Sequence, residues 1–466
     1  MAGPQHQEIS RPDDILEELG YTQQLKRTMS LGDVVVYGLI YMVPMAPLAV
    51  FGIIYNFSHG MPALVYIVAG VAMVFSAMSY KEMAKRFPVA GSVYSYVRLG
   101  INRFFGFVSG WAILLDYLLL PALLSVFAAA AMKSIVPSIP EFVWVILFVV
   151  LAAAINLRGI TLTAGMNLVF LAIQCLVLAV FVIGAVVAVA QGRGTFTFDP
   201  IFQADEFSWQ IVFGAIPIAA LSYIGFDAIS TLNEEAKGGG RTVSKATMIV
   251  LVVVTLLFVA QVYLAAIFVP SDTVFADGDP VNNAFYEIAG QVVGHWFQVV
   301  ITLTSALVAI FANSIASQAT SSRLVFSMAR DRQLPAVFAE VGRNQVPRNA
   351  MFLIAGLSLV IGIAGTTEQE LLTTLVTFGA LTAYILLNVA VIVHFGIRGR
   401  SRNWFLHWVS PLLGTAVLGY ALWNANPHAQ LLGLGWLLIG IGIASYWALR
   451  KRRADTGAAA PARGGR

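Results

Sequence analysis

Gly38-Leu39-Ile40-Tyr41-Met42-Val43-Pro44-Met45-Ala46-Pro47 decides the fold. The stretch lies inside a long apolar run, yet two prolines three residues apart remove backbone donors that a helix needs there. A single proline in such a run gives a kink; this spacing predicts a break. A second interruption, Ser222-Tyr223-Ile224-Gly225-Phe226-Asp227, sets a glycine and a carboxylate in the middle of another apolar run. Lipid offers no partner to a freed amide or carbonyl, so breaks survive in a membrane only where they line a cavity within the protein.

The rest of the chain supports that setting. Of 466 residues, 58% are hydrophobic and 11% charged, against about 25% charged in a soluble domain. Twelve mainly apolar stretches are long enough to cross a bilayer. They lie near 31–55, 61–81, 104–132, 141–157, 163–190, 207–235, 244–269, 289–319, 350–366, 370–396, 404–424 and 430–449, the fourth and ninth being short. With the N-terminus in the cytoplasm, all of the 28 lysines and arginines except Lys133 and Arg193 fall on the inner side. That is the bias expected of inner loops. The outer loops carry Asp199, Asp205, Glu206, Asp272, Asp277 and Asp279 instead. We expect an all-α polytopic protein of a bacterial inner membrane with both termini cytoplasmic. Residues 1–30 form an inner segment without a cleavable signal peptide. A transport core spans 31–396, two further helices span 397–449, and a disordered basic tail, 450–466, lies near anionic headgroups. Asn56-Phe57-Ser58 fits a glycosylation sequon and, at three residues, carries no weight.

The two breaks sit five spans apart, in the first and sixth. Interrupted helices at equivalent positions of two halves point to an inverted repeat with the substrate between the broken helices. Spans 1–5 and 6–10 are then the two repeats.

Ionisable groups at mid-membrane are costly, which makes each a functional candidate. Asp116 lies in span 3, Asp227 follows the Gly225 break, and Glu234 and Glu235 close span 6. On a 3.6-residue helix Asp227, Thr231 and Glu234 share a face. Each acid also has a plainer reading. Glu234 and Glu235 precede Lys237 and Arg241 and fit a surface ion-pair cluster, as Glu82 does among Lys81, Lys85 and Arg86; Asp116 fits a cap or a pair with a neighbouring span. Tyr41, Tyr117, Tyr223 and Phe226 fit an aromatic box for an ammonium, or ordinary packing.

Other chemistry finds little support. Cys175 is the one cysteine and lies in an apolar run, so it reads as a small core residue. The six histidines are scattered, and no HExxH, GxSxG or phosphate loop stands at a suitable place. We expect no enzyme, catalytic residue, metal, cofactor or nucleic-acid partner, and a monomeric chain with midplane breaks argues against a channel.

Several runs look familiar. Phe107 to Pro121, through Trp111, Asp116 and Tyr117, resembles span 3 of bacterial putrescine importers in the amino acid–polyamine–organocation superfamily. Tyr223 to Glu235 is similar to the family's span 6, Ser317 to Asp331 to the end of its span 8, and Phe87 to Tyr94 to its loop after span 2. The resemblance covers about Leu31 to Trp447. It implies a LeuT-type five-plus-five fold with two added helices, the substrate lying between spans 1, 3, 6, 8 and 10. The site residues it brings forward are Tyr41, Met42, Met45, Asp116, Tyr117, Tyr223, Phe226 and Asp227, with Asp227 and Glu234 for proton coupling.

Amino acid permeases of this superfamily usually place a glycine-rich stretch at the first break, whose amides hold an α-carboxylate. Here Pro44 and Pro47 offer no amide and no glycine opens a nest. This favours a small amine, with putrescine or a related polyamine ahead of a neutral or cationic amino acid. Many relatives also carry a span 5 lysine where this chain has Gln174, which weighs against a lysine proton relay. Ser314 and Ser317 supply oxygens for a sodium site but bring no carboxylate. Protons carried by a span 6 carboxyl are the expected coupling ion, since burial favours its neutral form and a bound ammonium its charged form.

Overall fold

The computed structural model describes residues 28–87, 92–159, 164–270, 273–330, 334–342 and 346–458. The N-terminal acids, Asp272, the end of the tail and the side chains of Thr231 and Glu234 lie outside what is described. Among the described residues every regular element is helical, and one isolated bridge joins Met29 to Ala236.

In chain order the helices are α1 Leu31–Tyr41, α2 Phe51–Phe57, α3 Pro62–Arg86, α4 Ser92–Gly100, α5 Arg103–Ile135, α6 Glu141–Leu157, α7 Ala164–Ala190, α8 Trp209–Leu221, α9 Gly240–Ala266 and α10 Asp279–Val293. They continue with α11 (295–330), α12 Arg348–Ala364, α13 Gln369–Arg398, α14 Phe405–Trp423 and α15 Pro427–Ala458. Among the described residues, nine helical segments are long and apolar enough to cross a membrane, and α6, α8 and α12 are shorter apolar helices. α15 runs to Ala458, past the boundary expected at 450.

α5 is apolar on nearly all sides and is the most enclosed of the long helices, as an all-round apolar helix must be. It packs against α6, α11, α12 and α13, while α3 and α9 pair along their lengths.

The Pro44 region breaks as its chemistry requires. α1 stops at Tyr41, a 3-10 turn occupies Ala46–Ala49, and α2 resumes at Phe51. Val43 sits at φ +51, a strained place for a β-branched residue that costs about 1–3 kcal/mol. The freed carbonyl of Pro44 accepts a hydrogen bond from Gln261 Nε2 of α9 at 3.0 Å, so the break is satisfied from within the protein. A capping box starts α1: Asp33 N–H donates to Ser30 Oγ and Ser30 N–H to Asp33 Oδ2.

α8 stops at Leu221, and the chain re-enters a 3-10 helix at Phe226–Glu234. Here the structure corrects a sequence expectation. A 3-10 helix has three residues per turn and about 2.0 Å rise, so Asp227, Ser230 and Asn233 share a face, not Asp227, Thr231 and Glu234. Ser230 Oγ accordingly donates to the Asp227 carbonyl, and Asn233 Nδ2 to the Tyr96 hydroxyl.

The span expected at 289–319 is also divided. Gly294, at φ +135, separates α10 from α11. α10 engages both cations expected on the outer side. Lys133 pairs with Asp279 at its N-terminal end at 2.9 Å. Arg193 donates to the carbonyls of Gln291 and Val292 at its C-terminal end, where a cation suits the helix dipole. α10 lies so close to α2 that a Cβ on Gly52 would stand 2.1 Å from Val281 O. The Asn56 amide exchanges hydrogen bonds with the backbone of Phe275 at 2.8 and 3.0 Å, so the side chain of that sequon is structural.

Candidate functional site

The two breaks meet. Gly225 has φ +122, a conformation that favours glycine, and a Cβ there would lie 2.8 Å from Tyr41 Cδ1 and 3.1 Å from Tyr41 O. Two residues on, Asp227 is buried at 4% exposure. Its Oδ1 accepts a hydrogen bond from the Tyr384 hydroxyl of α13 at 3.2 Å. Phe226, Tyr80 and Tyr384 form a triangle of rings with centroids 5.1–5.8 Å apart.

Asp116 reaches the same cluster from α5. It is 3% exposed and close enough to Asp227 for the two carboxyl groups to interact electrostatically. Its Oδ1 is buried and has no hydrogen-bond partner among the described residues. An unfilled acceptor of this kind calls for a donor, because a buried polar atom left unpaired is costly. Tyr117 and Tyr41 lie in the same electrostatic neighbourhood. Tyr41 also stacks on Tyr37, with centroids 5.9 Å apart.

The expected site residues therefore divide. Tyr41, Asp116, Tyr117, Phe226 and Asp227 come together. Tyr223 does not join them: its hydroxyl donates to the Tyr66 carbonyl, and its ring packs on Tyr66 and Phe258. Met42 and Met45 are buried at the first break. Tyr80 and Tyr384 belong to the cluster and were not anticipated. Of the proposed sodium-site oxygens, Ser314 Oγ lies 3.4 Å from Ser125 Oγ, and Ser317 is buried.

Two cavities touch Tyr41. One of about 50 Å³ is lined by Met42, Val43, Leu124, Phe127, Ser222 and Asn313, among others, and lies between the breaks. The other, about 450 Å³, runs past Gln174, Asn313 and Thr320 to Arg323 and Pro347. Gln174 is buried on its wall with Oε1 unpartnered among the described residues. Asp116 and Asp227 line neither cavity as described. The acid pair is enclosed, and access to it requires movement of the surrounding side chains.

Comparison with known proteins agrees with this architecture. The family model for amino acid permeases matches residues 29–446. The low-affinity putrescine importer PlaP of Escherichia coli is 32% identical over 428 residues, covering 90% of this chain and 93% of its own. The methylthioribose transporter of Bacillus subtilis is 26% identical over 93% of this chain and 95% of its own. The branched-chain amino acid permease BcaP of Lactococcus lactis is 24% identical over 83% and 86%. A chain whose described regular elements are all helical, broken at two touching points and matched over nearly its full length by transport proteins, is a multi-pass membrane transporter and belongs to the amino acid permease family, within the amino acid–polyamine–organocation superfamily.

Proposed function

We propose that this chain imports a small organic amine, putrescine or a related diamine, in symport with protons across a bacterial inner membrane. The observation that carries the substrate reading is Asp116 standing with Asp227 in one tyrosine-rich cluster, its buried Oδ1 open to a donor. A diamine brings an ammonium to each end of a short alkyl chain, matching two carboxylates and the aromatic faces around them. An α-carboxylate entering the same space meets two like charges. The likeness to a putrescine importer points the same way.

Asp227 is the proposed coupling residue and Glu234 the second choice. Burial favours the neutral form of this carboxyl and a bound ammonium its charged form, so amine binding and protonation are linked. Twelve spans in a five-plus-five repeat with two added helices, both termini cytoplasmic, complete the proposal. The short helices α6, α8 and α12, which stand where the fourth, sixth and ninth spans are expected, support that count.

A neutral or cationic amino acid permease is the second reading. It is favoured by Arg323 on the wall of the larger cavity, where a guanidinium suits a carboxylate, and by the branched-chain relatives. Uptake of labelled putrescine into proteoliposomes under an imposed pH gradient, challenged with cold putrescine, agmatine, lysine, alanine and glutamate, decides between them. Competition by putrescine and agmatine is the expected result. Competition by alanine with none by putrescine overturns the amine reading.

A further inference from the structure

α5 carries Pro121 in its interior. Proline has no N–H, so the carbonyl four residues earlier, that of Tyr117, loses its helical donor. The replacement comes from another helix. Ser321 of α11, itself buried, donates its hydroxyl to Tyr117 O at 2.5 Å. Its neighbours behave as helical hydroxyls usually do: Thr320 donates to Ala316 O and Ser322 to Ala319 O, both within their own helix. Ser321 gives its hydroxyl to a carbonyl of another helix instead. α13 presses on the same turn of α5, for a Cβ on Gly379 would lie 2.5 Å from Ala112 O and 3.1 Å from Asp116 N. The turn bearing Asp116 and Tyr117 is thus gripped by two helices, one through backbone contact and one through a hydrogen bond.

We propose that Ser321 is a positioning residue: it supplies the donor that Pro121 withholds, and through that bond α11 sets where Asp116 and Tyr117 stand. What Asp116 does with its position rests on the amine reading above; the bond itself does not.

A double-mutant cycle tests this. The unsubstituted protein, Ser321→Ala, Ser321→Thr, Pro121→Ala and the Pro121→Ala/Ser321→Ala pair are purified and reconstituted. Putrescine KM and Vmax are measured for each, together with melting in detergent. Ser321→Ala raises the KM by about three- to tenfold through misplacement of the contact group, with Vmax changing by less than about twofold. It also lowers the melting temperature, and Ser321→Thr, which keeps the hydroxyl, restores both. Pro121→Ala returns an N–H to the Tyr117 carbonyl, so adding Ser321→Ala to it moves neither quantity. A KM unchanged by Ser321→Ala, or an equal effect in both backgrounds, overturns the proposal. If Pro121→Ala does not fold, the alanine-versus-threonine comparison at 321 decides. If the unsubstituted protein takes up no putrescine, the amine reading fails on its own. The melting cycle then judges the bond, with additivity refuting it.

Discussion

Asp116→Asn separates a binding role from a structural one because it pushes affinity and stability in different directions. The two side chains have the same shape, and Oδ1 of Asp116 makes no hydrogen bond among the described residues. The substitution therefore breaks no bond at that atom. At 3% exposure, removing an uncompensated acid from the interior is neutral or stabilising, by up to about 1–2 kcal/mol. Binding moves the other way. Losing the charged partner of a buried ammonium costs about 2–5 kcal/mol. We take the low end, because Asp227 stays in place, and 2 kcal/mol is roughly thirtyfold. Putrescine KM in proteoliposomes is expected to rise by at least that factor, as about 2 kcal/mol requires, while melting in detergent holds or rises. Inhibition by a monoamine such as butylamine should change little, since one ammonium needs only Asp227. A putrescine KM within about twofold of the unsubstituted protein refutes the reasoning, a gap of only about 0.4 kcal/mol. A marked drop in melting temperature would instead identify Asp116 as a cap or a structural pair.

Tyr384→Phe removes a hydroxyl donated to a carboxylate at 3.2 Å and leaves the ring between Phe226 and Tyr80. A bond to a charged group contributes about 1.5–3 kcal/mol to stability, so the melting temperature should fall and putrescine KM should rise as Asp227 loses its anchor, and an unchanged KM removes Tyr384 from the site. At α10, Lys133→Ala should cost under about 1 kcal/mol, as exposed ion pairs do, whereas Gly52→Ala, whose Cβ would fall 2.1 Å from Val281 O, should lower the melting temperature far more. The reverse order would mean that the Lys133–Asp279 pair, and not close packing, holds α10.

Much of this was legible in the residues, for reasons that differ from place to place. The first break could be read because Pro44 and Pro47 lack donors whatever surrounds them. The second could be located from Gly225, but the 3-10 form of Phe226–Glu234 could not. Choice of an i+3 over an i+4 bond depends on what packs alongside, here Tyr96 and Tyr384. Tyr223 was expected at the site as part of an aromatic box with Tyr41, Tyr117 and Phe226. In the turn between α8 and the 3-10 helix, neighbouring residues point to different helices, and Tyr223 went to Tyr66.

Tyr384 had a signal that could have been found. Thr373, Thr377, Tyr384 and Asn388 fall within one narrow face of α13, an otherwise apolar run, and all four are buried. Polar residues that repeat on one face of a membrane helix point inward, toward protein or a cavity, because lipid cannot satisfy them. The residue pattern of α13 thus declares a polar face, and the Gly379 approach to α5 shows how closely it sits on the Asp116 turn. Pro121 is the companion case on α5. A proline in a continuous helix announces an orphaned carbonyl at Tyr117, and a serine-rich helix elsewhere in the chain is the natural source of its donor. What sequence alone cannot supply is which of Thr320, Ser321 and Ser322 gives its hydroxyl to the Tyr117 carbonyl, since all three hydroxyls can bond within their own helix and only the packing of α11 against α5 selects Ser321.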